Sequence, residues 1–327
     1  MNILIVSNSK IPAFLYGGTE RIIWWLGKEL VALGHRVTYL VKAGSECPFG
    51  KVIIRDTSLP IEEQIPADTD IVHFQEPVVD FDKCPYVATI HGNYGAETVF
   101  PINSVFVSKD HAVRHNATAY VYNGIDASEY GLPDFAIKRN AFHFLGKAAW
   151  RIKNVKGAID VATKAGEMLE VLGGTRLNFK MGFRFTPNLN VRFRGMVGGE
   201  EKNSYLRKSK GLLFPVRWHE PFGIALIESL YFGCPVFGTP YGSLPEIVTQ
   251  GFGVLSDSES KLAEAVKAVD DFDRKACHEY ICDRFLAKDM AKSYLALYEK
   301  VLNGVSLNMR TPRLLPTKEG KFLPWKE

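Results

Sequence analysis

The chain has 327 residues, 46% hydrophobic and 23% charged, with a formal net charge of +4. That length exceeds one ordinary α/β unit and fits two domains, and the composition is that of a globular chain rather than a disordered one. The mild positive excess suits an anionic ligand, but no zinc-finger spacing and no basic stripe with interleaved aromatics stands out, so nucleic acid is not an expected partner.

The N-terminal run of residues 3–6 is continuously apolar, as in a parallel strand buried on both faces, and turns polar at Ser7. It is too short for a signal h-region or a membrane span. Five cysteines, Cys47, Cys84, Cys234, Cys277 and Cys282, form no C-x-x-C pair. Their odd number argues against a disulfide framework or structural zinc and for a reducing compartment. A cytoplasmic chain is expected, with peripheral membrane contact left open. Thr19 can cap a helix in which Ile22, Ile23, Leu26, Leu30 and Leu33 recur at helical spacing, and Gly34 closes it. Strands are predicted at 36–41, 52–54, 71–74, 87–90 and 104–107, completing a doubly wound first domain over residues 1–124. Residues 125–140, with Gly131 and Pro133, read as a linker.

A second strand-helix series follows over 141–286: a strand at 142–145, helical periodicity over 156–172, strands at 177–181, 191–193, 212–214 and 235–237, and a helix at 222–231. A crossing amphipathic helix is predicted over 287–303, and the basic tail 304–327 reads as partly disordered. Two doubly wound α/β domains in tandem imply an interdomain cleft as the ligand site.

The most informative segment runs from Pro215 to Ser229. An apolar strand ends at Phe214, a loop presents Glu220, Pro221 suits a first helical turn, and Gly223 admits close backbone approach. Free amides of Phe222, Gly223, Ile224 and Ala225 at the helix start would make an anion site, with Glu228 two turns on.

The pattern E-P-F-G-x-x-x-x-E spanning Glu220 to Glu228 resembles the signature of retaining glycosyltransferase family 4, with its two-domain, Rossmann-like GT-B fold. The resemblance implies that Glu220 faces the donor sugar and Glu228 holds the donor ribose. Asn123-Gly124-Ile125-Asp126 resembles the family's junction turn, and Gly242-Ser243-Leu244-Pro245-Glu246 its G-G-x-P-E loop, with Ser243 replacing the second glycine. Tyr16-Gly17-Gly18-Thr19-Glu20 resembles its glycine loop beside diphosphate and acceptor. The likeness covers nearly the whole chain up to about residue 304 and is greatest to the subgroup that includes an avilamycin-pathway glycosyltransferase.

Family members carry an arginine in a strand-terminal G-R and a lysine six residues later. Here Lys147 replaces the arginine and Lys153 fits the lysine, with Arg151 close enough to compensate. A lysine keeps the charge but loses the planar fork. The resemblance also implies a place near the donor sugar for His91, while Arg114 and His115 are further candidates to face the cleft and Trp218 to lie near the sugar. Trp24 and Trp25 read as helix packing. Base contacts are expected around Gly195, Met196 and Val197. No Asp-x-Asp run follows a strand, so neither metal nor cofactor is expected.

The expected activity is retaining, metal-independent hexosyl transfer from a nucleotide-sugar, UDP-sugar by default, to a saccharide, lipid-linked saccharide or natural-product acceptor. Polysaccharide biosynthesis is one setting for it. The alternatives are a nucleotide-sugar epimerase and a non-catalytic nucleotide-sugar-binding protein. A nicotinamide enzyme would need G-x-G-x-x-G after the first strand, which Gly17-Gly18 does not supply.

Overall fold

The apolar run at the N-terminus forms β1 (Asn2–Val6), with residues 3–6 buried on both faces. The computed structural model describes every residue except 14–16, 79–80 and 180. After β1 come α1 (Gly18–Ala32), β2 (Arg36–Val41), β3 (Lys51–Ile54), β4 (Ile71–Phe74), β5 (Tyr86–Ile90), β6 (Ser104–Phe106) and α2 (Lys109–Arg114). Helix α1 turns Ile22, Ile23, Trp25, Leu26 and Leu30 inward, while Trp24 packs edge-on against Phe49. Both tryptophans are therefore packing residues. Thr19, expected as the cap, lies in the first turn instead. The helix starts two residues early because Gly17 takes the N-cap at φ 151°, a backbone angle that suits glycine.

All pairings in this sheet are parallel, in the order β3-β2-β1-β4-β5-β6. The order reverses direction between β1 and β4, the place where an open α/β sheet leaves a crevice at its carboxyl ends.

A second sheet is built from β7 (Ala141–Leu145), β8 (Leu169–Leu172), β11 (Val191–Phe193), β12 (Ser209–Phe214), β13 (Val236–Gly238) and β14 (Gly253–Leu255). Its order is β11-β8-β7-β12-β13-β14, again all parallel, with the reversal between β7 and β12. Between the strands lie α3 (Val155–Ala165), α4 (Gly199–Arg207), α5 (Ile224–Tyr231) and α6 (Leu244–Ile247), and after β14 come α7 (Glu259–Lys267) and α8 (Arg274–Arg284). A separate antiparallel ribbon pairs β9 (Leu177–Asn178) with β10 (Arg184–Phe185). The core of this unit packs Phe142, Phe144, Val171 and Leu213 against Ala158, Ile159 and Ala162 of α3 and Leu262 and Val266 of α7. The expectation of two doubly wound, Rossmann-like α/β domains holds.

Three predicted elements change. The helix read over 156–172 ends at Ala165, because Gly166 turns left-handed (φ 76°), and 169–172 become β8, buried between β7 and β11. The strand read over 177–181 is limited to Leu177–Asn178, and Lys180 lies outside the described residues. The helix read from 222 begins at Ile224.

The chain divides into two units, residues 1–126 with 285–317, and residues 127–284 with 318–327. Helix α9 (Ala287–Leu302) belongs to the first. Its Tyr298 hydroxyl meets His73 Nδ1 at 2.7 Å, and its Tyr294 hydroxyl meets Thr89 at 2.8 Å, all of them buried. The expected disorder of the tail is not what the structure shows. Asn308 accepts from the amides of Thr118 and Ala119 and donates to the carbonyls of Ile102 and Ser104, while Leu323 is buried and its amide donates to Arg217 O. Among the described residues no helix is long and apolar enough to cross a membrane.

Candidate active site

In the second unit the loops after β7 and β12 leave neighbouring strands on either side of the sheet's reversal. The loop after β12 carries Glu220, a carboxylate only 6% exposed. Its Oε2 accepts from Lys153 Nζ at 2.6 Å and from Trp218 Nε1 at 2.7 Å. Its Oε1 accepts no hydrogen bond from the described residues. Lys153 comes from the loop after β7, and Asn154 locks that loop in place. Asn154 sits left-handed (φ 52°), its Oδ1 accepts from Gly157 N to cap α3, and its Nδ2 donates to Pro215 O at 3.0 Å. Arg217 N donates to Ile152 O at 2.7 Å, a second tie between the two loops.

The loop before α6 holds Glu220 from the other side. Glu220 and Gly242 form a parallel bridge, and a Cβ on Gly242 (φ 67°) would lie 2.3 Å from the Glu220 backbone N and O. Ser243 N donates to Glu220 O at 3.0 Å and Ser243 Oγ to Phe222 O at 2.7 Å. The serine in place of a second glycine therefore braces the glutamate loop. Trp218, a candidate for sugar contact, directs its indole N–H to Glu220.

Phe222 is buried and precedes α5, Gly223 is its left-handed N-cap (φ 81°), and Leu226 N already donates to Gly223 O. The amides of Phe222, Gly223, Ile224 and Ala225, expected as an anion site, thus lie at and just before this helix start. Glu228 lies within the unit, 2% exposed. Its Oε1 accepts from the Tyr130 hydroxyl at 2.7 Å and from Lys202 Nζ of α4. Both partners escaped sequence reading: Tyr130 lies in the presumed linker, and no spacing relates Lys202 to Glu228.

Lys147 places its ammonium 5.1 Å above the Trp150 ring, and the Arg151 guanidinium lies 5.0 Å above Phe322. Neither contacts a carboxylate among the described residues, so Lys153 alone of the three cations joins Glu220. Gly195 is left-handed (φ 71°) and its N donates to Gly174 O, beside a cavity of about 340 Å³ bordered by Arg176, Arg192 and Phe193. Met196 is exposed and Val197 buried, while Arg194 is held by both oxygens of Glu170.

The first unit has its own strand-end cavity, about 390 Å³, at the carboxyl ends of β1, β4 and β5 and the start of α1. Ser7, Gln75 and His91, each directly following a strand, line it with Thr19, Glu20 and Glu76. Gly17 and Gly18 form the entry to α1, and a Cβ on Gly17 would lie 2.6 Å from the Glu20 carboxylate; Tyr16 lies outside the described residues. His91 Nε2 donates to Gln75 Oε1 at 2.9 Å. Desolvation lowers the His91 pKa to about 4, so the imidazole is neutral near pH 7 and Nδ1 is the acceptor nitrogen. Gln75 Nε2 is buried with no partner among the described residues. Sequence reading missed Gln75; its signal is its position directly after a buried strand. A cavity of about 490 Å³ lies at the opposite ends of β1 and β2, beside Asn2, Arg36 and Asp68, away from the crevice that parallel strands create.

His115 is not a site residue: it is fully buried, stacked on Phe106 at 4.8 Å, with Nδ1 donating to His111 O. Arg114 reaches Asn93 Oδ1 at 3.4 Å. Among the described residues no three His, Cys, Asp or Glu side chains are grouped to hold a metal ion.

Two six-stranded parallel sheets with sites at their carboxyl ends define the GT-B class of fold. The crystal structure of AviGT4, a glycosyltransferase involved in avilamycin A biosynthesis, matches with a TM-score of 0.76 at 18% identity, over 94% of this chain and 99% of that one. Anabaena Alr3699/HepE, solved in complex with UDP-glucose, matches with a TM-score of 0.63 at 14% identity, over 93% of this chain and 100% of that one. Residues 138–280 match the family model described as glycosyl transferases group 1. A Klebsiella pneumoniae protein described as an uncharacterized 41.2 kDa protein in the cps region is 32% identical over 121 residues, which are 34% of this chain and 32% of that protein. The chain thus matches about a third of that curated relative's length. Over residues 138–280 the chain is thus similar to the group 1 glycosyl transferases, and the solved structures share its GT-B fold.

Proposed function

We propose that the chain is a retaining glycosyltransferase of family 4 that moves a hexose from a nucleotide-diphosphate donor, without a metal ion, to a hydroxyl of a saccharide, a lipid-linked saccharide or a small natural product. The observation that carries this reading is the Lys153–Glu220–Trp218 cluster beside the strand reversal, with Glu220 Oε1 open to a ligand. UDP-sugar is the first donor to try, since a solved protein of the same fold holds UDP-glucose.

Each group has a physical task. The amides of residues 222–225 at the start of α5, with Lys153, Lys147 and Arg151, stabilise charge that grows on the departing diphosphate, the part a metal would otherwise play. Glu220 Oε1 accepts a hydroxyl of the transferred sugar, its other oxygen being fixed by two donors. Glu228, held rigid by Tyr130 and Lys202, receives the ribose. The backbone from Gly195 to Val197 reads the base. In the first unit, neutral His91 and Gln75 bind hydroxyls. The acceptor oxygen bonds to the anomeric carbon on the face from which the phosphate leaves. The breaking C–O bond gives its electron pair to the phosphate, which takes the acceptor's proton, so configuration is kept.

The test is release of nucleoside diphosphate and product NMR across a panel of nucleotide sugars and saccharide acceptors, in EDTA. Lys153→Ala should lower turnover by about 10²–10³-fold and Glu220→Gln by about 10²-fold. Lys153→Met/Glu220→Gln removes both charges and keeps the volume, which controls for stability. Turnover within a few-fold of wild type in both single variants sinks the assignment. Loss of all activity in EDTA removes metal independence, and tight donor binding without release would make the chain a binding protein.

A further inference from the structure

We infer that the β9–β10 hairpin of the second unit docks the protein on an anionic lipid surface. In this ribbon Phe185 faces Leu177 and Arg184 faces Asn178, so alternation puts the large apolar side chains on one face and the polar ones on the other. The polar face is turned to the protein. Arg184 lies 4.9 Å above the Phe193 ring and donates to Thr186 Oγ1 and Thr175 O, and Arg176 donates to the carbonyls of Thr186, Asn188 and Val191. The apolar face is turned to water: Phe179 is 73% exposed, Phe183 72%, Met181 62% and Phe185 56%. Phe179 and Phe183 touch each other, with ring centroids 5.8 Å apart. A cluster of this kind on a surface marks a docking site rather than chance exposure.

Charge selects the occupant. Between Glu170 and Glu200 the sequence has no Asp or Glu; Arg192 and Arg194 there answer Glu170, and Arg176 and Arg184 face the protein, so the cations open to a headgroup are those of the neighbouring cavity. Beside the hairpin lies a cavity of about 410 Å³ whose lining includes Arg151, Lys156, Arg184 and Arg217 with Met181 and Phe183, and no carboxylate. An apolar blade flanked by cations fits acyl chains below and anionic headgroups around it. A single strand of nucleic acid would also meet cations and rings. It stacks on flat rings, however, and here the aliphatic Met181, Leu177 and the 84% exposed Leu189 share the surface.

The test uses the full chain and sedimentation with vesicles of phosphatidylcholine, alone or mixed with phosphatidylglycerol. Binding should favour the mixed vesicles by at least about tenfold and weaken with salt. Phe179→Ser/Phe183→Ser should lower that binding on the order of tenfold with melting temperature and UDP binding unchanged. Phe179→Trp, which keeps the blade, should bind normally and shift its emission to the blue on vesicle addition. Binding that ignores lipid charge, binding that survives the double variant, or capture of a single-stranded oligonucleotide in place of vesicles overturns the inference. None of these readouts depends on sugar transfer.

Discussion

Glu228 and Lys202 are the most exacting pair in the second unit, because both are almost fully removed from water at 2% and 4% exposure. Ions in that state are tolerated only while they are matched, and Tyr130 supplies Glu228 with a further hydrogen bond. Lys202→Met leaves the carboxylate without its cation and should cost about 3–5 kcal/mol, read by chemical denaturation. Lys202→Met/Glu228→Gln removes both charges and should recover most of that loss while still failing to bind donor. Wild-type stability in the single variant would show that the pair is not buried as described. In Glu220, Lys153 and Trp218 both donate to Oε2, so fixing the side chain leaves Oε1 for a ligand.

Among the elements, the short turn ahead of α3 links stability to the site. Asn154 caps the helix, holds a left-handed angle and ties the β7 and β12 loops through Pro215 O. Asn154→Ala removes the cap and adds backbone strain, for about 2 kcal/mol in thermal or chemical melts. Because Lys153 is its neighbour, turnover should fall further than stability explains. Asn154→Gly keeps the angle and should be milder in stability yet equally poor in turnover. Unchanged turnover in both variants would detach the turn from the site.

Across the molecule, each unit hides a neutral histidine. His73 in the first unit and His143 in the second are both fully buried, and desolvation lowers each pKa from 6.5 to about 3. His143 meets Ser209 and Ser229 at 2.6 and 2.8 Å, and His73 meets Tyr298 and Thr89, both at 2.7 Å. The unfolded chain takes up a proton near pH 6.5, whereas the native chain resists until about 3. Below 6.5 the unfolded state therefore binds more protons. Their contribution to stability is whole above that pH and is lost as pH falls, by about 1.4 kcal/mol per pH unit for each histidine. Melting temperature should accordingly drop between about pH 7 and about pH 5, in both units. A flat profile over that range would contradict the burial of these rings.

The sequence by itself determined the alternation of buried strands and helices, because continuous apolar runs such as 3–6 and 212–214 have few other places to go. It also placed Lys153 and Glu220 at strand ends, where parallel sheets leave their crevices. It could not separate α3 from β8, since the apolar residues of 156–172 fit a helix face until Gly166 breaks it and two neighbouring strands claim the remainder. Nor could it find Lys202 and Tyr130 beside Glu228, Gln75 beside His91, or the outward face of the 177–185 hairpin. Those depend on which residues far apart in the chain exclude water together. Periodicity records only neighbours along the chain, whereas burial and pairing are decided when whole elements meet.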